Sequence, residues 1–456
     1  MPDQSQSLNS LSPLDGRYAD DLAELSAYFS EKALIQYRVK IEIEYLIALS
    51  QIPGIPELPP LSSREQGKMR KLVETFKVED AIEIKKIEAD IHHDVKAVEY
   101  FLRPRLEAIV SKTLTPWIHF ALTSEDVNNL AYALMWQDAL MKVYLPRSEQ
   151  LLEHFKRWAH DYSETSLLAL THGQPATPTT FGKEINVFYH RLKRQYRALK
   201  NHRLTGKLNG ATGTWGAHLT AYPEINWIQF SRRFISGLGL KPNDITTQVE
   251  PNDSAAESYH VLVRIHTILI DFCRDIWFYI SRGLLSQDKQ AGEVGSSTMP
   301  HKVNPIHFEN AEGNLLLANA LLNELATTLP ISRLQRDLSG STTKRNQGTA
   351  MGYAILAMGS LTKGLGRISI NDRAMAEELD QHWEVLAEAV QTILRKHGQT
   401  TAYQLLKDFS RGETITRADL ANFITTLKIP LDEKRKLLSL TPADYIGLAP
   451  YLARLS

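Results

Sequence analysis

HVLVRIHTILIDFCRDIWFYI, residues His260–Ile280, decides the fold. Leu262, Ile265, Leu269, Phe272, Ile276 and Ile280 recur at three- and four-residue steps, the spacing of one face of an α-helix. Val261, Val263, Ile268, Ile270 and Phe278 fall off that stripe, so the helix is expected to be covered on more than one side, as in the centre of a bundle. A second long helix is predicted from Pro305 to about Leu329, just before Pro330, and others after Thr123 and Thr177. Strict apolar/polar alternation is hard to find anywhere, which makes the fold class all-α. With 456 residues, 43% of them hydrophobic, the chain exceeds what one core usually supports. Leu114-Thr-Pro116 and the Gly364–Ile370 stretch suggest boundaries, giving an N-terminal helical domain (1–115), a central long-helix bundle (116–365) and a C-terminal helical domain (366–456). Bundle helices this apolar often bury their spare faces against other subunits.

Lys+Arg and Asp+Glu balance at 52 each, so neither a general nucleic-acid surface nor an anionic-membrane surface is expected, and an anionic ligand must meet a focused pocket. The single cysteine, Cys273, lies in the apolar helical stretch, which rules out a disulfide framework within the chain and fits a core residue in a reducing compartment. The polar start, Met-Pro-Asp-Gln-Ser-Gln-Ser, has no secretory pattern, and no run approaches the ~18 apolar residues of a membrane span; a soluble, cytoplasmic protein is expected.

Chemistry concentrates in Gly295–Pro305, GSSTMPHKVNP. It gathers hydroxyls, Lys302 and the amide of Asn304 around two prolines just before a helical run. Asn304-Pro305 reads as an N-cap followed by the first helical residue, and the free N–H groups of a helix start favour negative charge; this is the make-up of a loop that closes over an anion. His172 sits in Thr-His-Gly-Gln-Pro-Ala-Thr-Pro, where Thr177 can cap a helix beginning at Pro178 and the preceding residues form a turn. A free imidazole titrates near pH ~6.5, so His172 can act as acid or base, and residue chemistry alone favours the base. His93 is read inside a helix; adjacent helical residues point apart, so His92 and His93 do not share a metal ion, and no metal site is expected. Thr123-Ser124-Glu125-Asp126 reads as a helix start with acids in its first turn.

Six blocks in one order carry a resemblance: Ser12-Pro-Leu-Asp-Gly-Arg-Tyr18, His93-Asp94-Val-Lys-Ala97, Thr123–Asp126, Thr171-His-Gly-Gln-Pro-Ala-Thr177, Gly295–Pro305 and Gln335-Arg-Asp337. Together they resemble the fumarase/aspartase superfamily, whose members eliminate fumarate from a succinyl-type substrate. With His301 in Met-Pro-His-Lys, the chain looks like the branch that cleaves succinylated purine nucleotides. The resemblance reverses one reading: His172 becomes the general acid that protonates the leaving nitrogen, while a loop serine removes the carbon-bound proton. Spacing does not decide between Ser296 and Ser297; the motif, with its serine six residues before the lysine, implies Ser296. It further implies that Thr123 and Ser124 hold a succinyl carboxylate. His93, Asp94, Gln248, Lys302 and Asn304 then line the substrate, and Arg17, Tyr18, Arg336, Ser341 and Arg345 serve the nucleotide phosphate. Ile91 departs from the usual threonine and puts one supporting hydrogen bond in doubt. No metal or organic cofactor is implied. The implied assembly is a homotetramer whose active sites draw on three subunits. The rival readings are a lyase acting on argininosuccinate, aspartate or malate, and a non-catalytic helical scaffold.

Overall fold

The computed structural model describes residues 8–288, 299, 303–410 and 415–455. Within them helices carry nearly all regular structure, and every strand is two or three residues long, as expected of an all-α chain. The predicted central helix runs Asp253–Ser281. Leu262, Ile265, Leu269, Phe272 and Ile276 are all buried, as are Val261, Ile268 and Ile270 off the stripe, whereas Phe278 is 58% exposed. Cys273 is a buried core residue, and burial pushes its thiol well above the ordinary value. The second long helix spans Ile306–Thr328, with Pro305 ahead of it accepting from the N–H groups of Phe308 and Glu309, so it begins one residue later than read. No helix among the described residues is long and apolar enough to cross a membrane.

The chain divides into two compact units, each discontinuous in sequence. One takes residues up to Arg147, Gln195–Thr267 and Gly313–Met358; the other takes Ser148–Arg194, Ile268–Glu312 and Gly359 onward. The first is built on helix Glu31–Ser50, started by the Ser30 hydroxyl accepting from the Ala33 N–H at 3.1 Å. This helix is buried on most of its sides and packs on helix Ser124–Ala139, where Trp136 is fully enclosed, stacks edge-on against Tyr259 at 4.9 Å and donates its indole N–H to the Ser258 hydroxyl. The second unit has its own core in the C-terminal helices, gathered on Leu379, Leu386, Val390, Leu394, Leu420 and Ile424.

The connection carrying His172 differs from its sequence reading. Ser166–Leu167 pairs antiparallel with Thr179–Thr180, and between them Leu170–Thr171 pairs with Gln174–Pro175. The helix therefore begins at Phe181 rather than Pro178, and its cap is Thr180, whose hydroxyl accepts from the Lys183 N–H at 3.2 Å; Thr177 is not the cap. Extended pairing with Ser166–Leu167 takes up the backbone of residues 179–180 in place of a helical turn. Gly182 then fixes the helix against its neighbour, because a Cβ there would lie 2.4 Å from the Ala159 carbonyl oxygen and 2.7 Å from the Ser163 nitrogen, both backbone atoms. Gly182→Ala is expected to destabilise the protein by about 1–3 kcal/mol, seen as a lowered urea midpoint. An unchanged midpoint would show that the backbone yields freely.

His93 also differs. Helix Val78–Ile91 stops at His92, whose φ of 53° is left-handed, and His93 becomes the N-cap of helix Asp94–Glu107, its Nδ1 accepting from the Lys96 N–H at 3.2 Å. The two histidines mark a break, not the middle of a helix.

Candidate functional site

The start of helix Ser124–Ala139, in the first unit, is anchored by an enclosed ion pair. Asp126 and Lys207, both with fully enclosed side chains, form an ion pair at 2.8 Å. The Asp126 carboxylate also accepts from the N–H groups of Thr123, Asn209 and Gly210, and the Lys207 ammonium donates to the carbonyls of Gly210 and Gln248, each at 2.9 Å. No lone pair or ammonium proton of the two is left to a low-dielectric interior, where an unpaired charge would cost several kcal/mol. Thr123-Ser124, segment 207–210 and Gln248 are thereby tied together. Gly213 closes the same segment: its φ is +78°, and a Cβ would meet the Thr246 carbonyl oxygen at 2.1 Å, so only glycine fits.

Two non-glycine residues with left-handed backbone, His119 (φ 59°) and Ala121 (φ 57°), lead into Thr123. Such conformations cost energy and persist only where the surroundings enforce them. Here His119 Nδ1 is 2.6 Å from the enclosed Glu42 carboxylate; burial opposes its charge, but Glu42 outweighs that and raises the imidazole above its ordinary value.

Next to this helix lies a cavity of about 140 Å³, lined by Arg38, Asp94, Glu125, Tyr132, Arg336, Ser341, Lys344 and Arg345 among others. Arg38 donates to Asp94 at 2.6 Å and to the Asn128 side chain at 2.8 Å. Burial opposes ionisation of Asp94, yet Arg38, the Val95 N–H and His93 together hold its carboxyl below the ordinary range. Arg336 donates to the Gln248 side-chain oxygen at 2.9 Å and lies 3.7 Å from Glu125. Asp337 is brought down to about 2 by the Ser339 hydroxyl and the N–H groups of Arg333 and Ser339. Arg345 donates to the Ser341 carbonyl and also lines a second cavity of about 510 Å³, together with Ser12, Asp15 and Ala19 of the N-terminal turn.

Of the residues singled out from sequence, Asp94, Gln248, Arg336, Ser341 and Arg345 thus come together, beside the helix that Thr123 and Ser124 begin. Arg17 lies over the Tyr18 ring at 5.7 Å, in the turn whose neighbours line the second cavity. His93 is more than half exposed at its cap position. Asn304 is half-buried ahead of helix Ile306–Thr328. His172 belongs to the second unit, where it is exposed at the tip of a two-residue hairpin, with φ 55° followed by Gly173 at φ 72°, a primed turn. Ser296, Ser297, His301 and Lys302 lie outside the described residues. Among the described residues no three His, Cys, Asp or Glu side chains gather as metal ligands would. Sequence reasoning missed Arg38, Tyr132, Lys207 and Lys344, and read Glu125 only as a first-turn acid. A signal was present for one of them: Lys207 opens the glycine-punctuated Lys-Leu-Asn-Gly-Ala-Thr-Gly stretch.

The arrangement is a set of fixed cations and hydroxyls suited to a multiply charged anion. Comparisons with known proteins bear on which. A family model described as Lyase matches residues 16–319, and one described as Adenylosuccinate lyase C-terminal matches residues 332–446. The chain is 47% identical over 447 residues to an adenylosuccinate lyase of Haemophilus influenzae, covering 98% of both proteins. It is 47% identical over 444 residues to one of Escherichia coli, covering 97% of both, and 46% identical over 448 residues to one of Legionella pneumophila, covering 98% of both. Among solved structures, a fumarate lyase from Mesorhizobium aligns with TM-score 0.75 at 20% identity, over 95% of this chain and 96% of that one. A 3-carboxy-cis,cis-muconate lactonizing enzyme from Pseudomonas putida aligns with TM-score 0.74 at 20% identity, over 94% and 95%; at such identity the likeness speaks for the fold alone.

Proposed function

The chain belongs to the adenylosuccinate lyase family, and from that premise we propose that it releases fumarate from adenylosuccinate to leave AMP, and carries out the same step on the succinylated carboxamide ribotide of purine synthesis. It is a lyase. The reaction removes a proton from the carbon next to a succinyl carboxylate, and the electron pair left behind forms the C=C bond of fumarate as the C–N bond breaks. The departing nitrogen takes up a proton. Ser296 is the base and His172 the acid. Lys302, Asn304 and loop N–H groups stabilise the serine alkoxide and the charge that spreads into the carboxylate. Thr123 and Ser124 receive a succinyl carboxylate at the helix start that the Asp126–Lys207 pair holds in place. Arg17, Tyr18, Arg336, Ser341 and Arg345 take the phosphate, with His93 and Gln248 along the substrate. Both proton transfers fall to side chains, so the chemistry asks for no metal or organic cofactor.

The observation that carries this reading is the cavity in which Arg336 is held by Gln248 beside Ser341 and Arg345: guanidinium forks and a hydroxyl set for an oxyanion. The enzyme works as a homotetramer with sites shared between subunits. In support, Trp277, Phe278, Leu316 and Leu317 expose large apolar side chains on long helices, faces that a second copy would cover. A single buried cysteine suits the cytoplasm.

Purified protein offered adenylosuccinate, argininosuccinate, aspartate and malate separately is expected to release fumarate from the first at least ~100-fold faster, in kcat/KM, than from any other, since the phosphate-binding groups have no partner in the others. Preference for argininosuccinate would move the assignment to another branch.

A further inference from the structure

We propose that Lys344 is a further phosphate-binding residue, forming with Arg345 a two-cation clamp for the dianionic end of the substrate; this rests on the nucleotide reading above. Lys344 ends the short helix Ser339–Lys344 and is only 7% exposed, yet it lines the 140 Å³ cavity. A buried ammonium without a carboxylate is rare, because desolvation must be offset by some partner. Among the described residues its ammonium makes no ion pair and lies over the face of Tyr132, 5.4 Å from the ring centroid. Such a contact steadies the stem and orients the charge but satisfies no N–H donor.

Pairing around the cavity isolates this residue. The lining contributes three carboxylates, and each has a cation of its own: Asp94 with Arg38, Glu125 with Arg336, Asp337 with Arg333. Among the described residues that leaves Lys344 and Arg345, adjacent in sequence and lining one cavity, without a carboxylate partner. Two unneutralised cations match the two negative charges of a phosphate monoester, and Ser341, one helical turn before Lys344, adds a hydroxyl. A planar guanidinium and a compact ammonium are complementary here: the first grips two oxygens at once, the second acts as a point charge with three donors. Thr123 and Ser124, the groups assigned to the succinyl carboxylate, are not among the residues that line this cavity. The clamp therefore predicts that loss of Lys344 is felt by ligands that carry phosphate and not by fumarate.

The test uses Lys344→Met, which keeps the stem over Tyr132 and deletes the charge, with Lys344→Gln as a second neutral variant and Lys344→Arg as the charge-preserving one. Binding of AMP, fumarate and inorganic phosphate is measured directly on the assembled enzyme by calorimetry, alongside steady-state kinetics. Both neutral variants are expected to bind AMP at least about 10-fold more weakly, as for a lost hydrogen bond between charged groups, with fumarate affinity within about twofold, while the arginine variant stays near wild type. KM for adenylosuccinate should rise more than kcat falls. Unchanged AMP affinity in a folded neutral variant overturns the proposal, and so does weakened fumarate binding with AMP unaffected, which would assign the ammonium to a carboxylate. Failure of the wild-type enzyme to turn over adenylosuccinate while AMP binding still depends on Lys344 would sink the nucleotide-lyase reading and leave the clamp standing.

Discussion

His172→Asn and Ser296→Ala are each expected to lower kcat at least ~10²-fold, the loss that follows when a proton-transfer group is removed, if these two side chains move the two protons as proposed. Asparagine is the informative replacement for the histidine. Residue 172 occupies the first central position of a hairpin turn at φ 55°. There alanine would keep the left-handed strain of about 1–2 kcal/mol that most L-residues bear, whereas asparagine tolerates the conformation and carries no titrating proton. The exposed tip leaves no cavity behind, so thermal stability should stay within about 1 kcal/mol of wild type and the kinetic effect can be read as chemistry. Mixed tetramers sharpen the result. If each site is built from several subunits, as proposed above, combining inactive His172→Asn and Ser296→Ala chains by refolding together regenerates some sites that hold both an intact imidazole and an intact serine. Recovered activity up to about a quarter of wild type follows from random assortment of two chains into such sites. Wild-type kcat in either single variant would remove that residue from its role, and complete inactivity of every mixture would argue against shared sites.

The helical fold was legible because one principle dominates it. Leu262, Ile265, Leu269, Phe272 and Ile276 sit at helical spacing and are all buried, and the long helix after Pro305 ends at Thr328, beside Leu329 and Pro330. The departures come where local chemistry has two solutions. Thr177-Pro178 resembles a capped helix start, but two short strand pairs capture the segment and pass the cap to Thr180. Ile91-His92-His93 contains neither glycine nor proline, yet His92 turns left-handed and breaks the helix, which no propensity rule announces. Of the residues that the motifs singled out, Asp94, Gln248, Arg336, Ser341 and Arg345 lie together. Apart from Tyr132, the residues that escaped notice are buried charges. Whether Arg38, Lys207 or Lys344 faces solvent or a cavity depends on elements far apart in sequence, and a lysine on a solvated face reads the same as one on a closed face.

Lys207→Ala is the other substitution with a large expected effect, a loss of about 3–5 kcal/mol of stability, because it leaves the Asp126 carboxylate enclosed with no cation. Three backbone N–H donors would remain on that carboxylate, from Thr123, Asn209 and Gly210, so the anion would not be bare; the loss falls on the charge itself and on the carbonyls of Gly210 and Gln248, which the ammonium now serves. The two effects separate in a double-mutant cycle with Asp126→Asn. If the ion pair is the principal bond, neutralising the stranded acid recovers part of the stability, and the coupling measured by urea unfolding exceeds about 1 kcal/mol. Additive losses would mean that Lys207 acts through the two carbonyls alone. The functional readout follows from the same geometry. Freed from Lys207, the Gln248 backbone no longer fixes the side chain that receives Arg336, so the weakened variant should lose nucleotide affinity even at temperatures where it stays folded. Unchanged KM in a folded Lys207→Ala enzyme would show that Arg336 is held by the cavity without this enclosed pair.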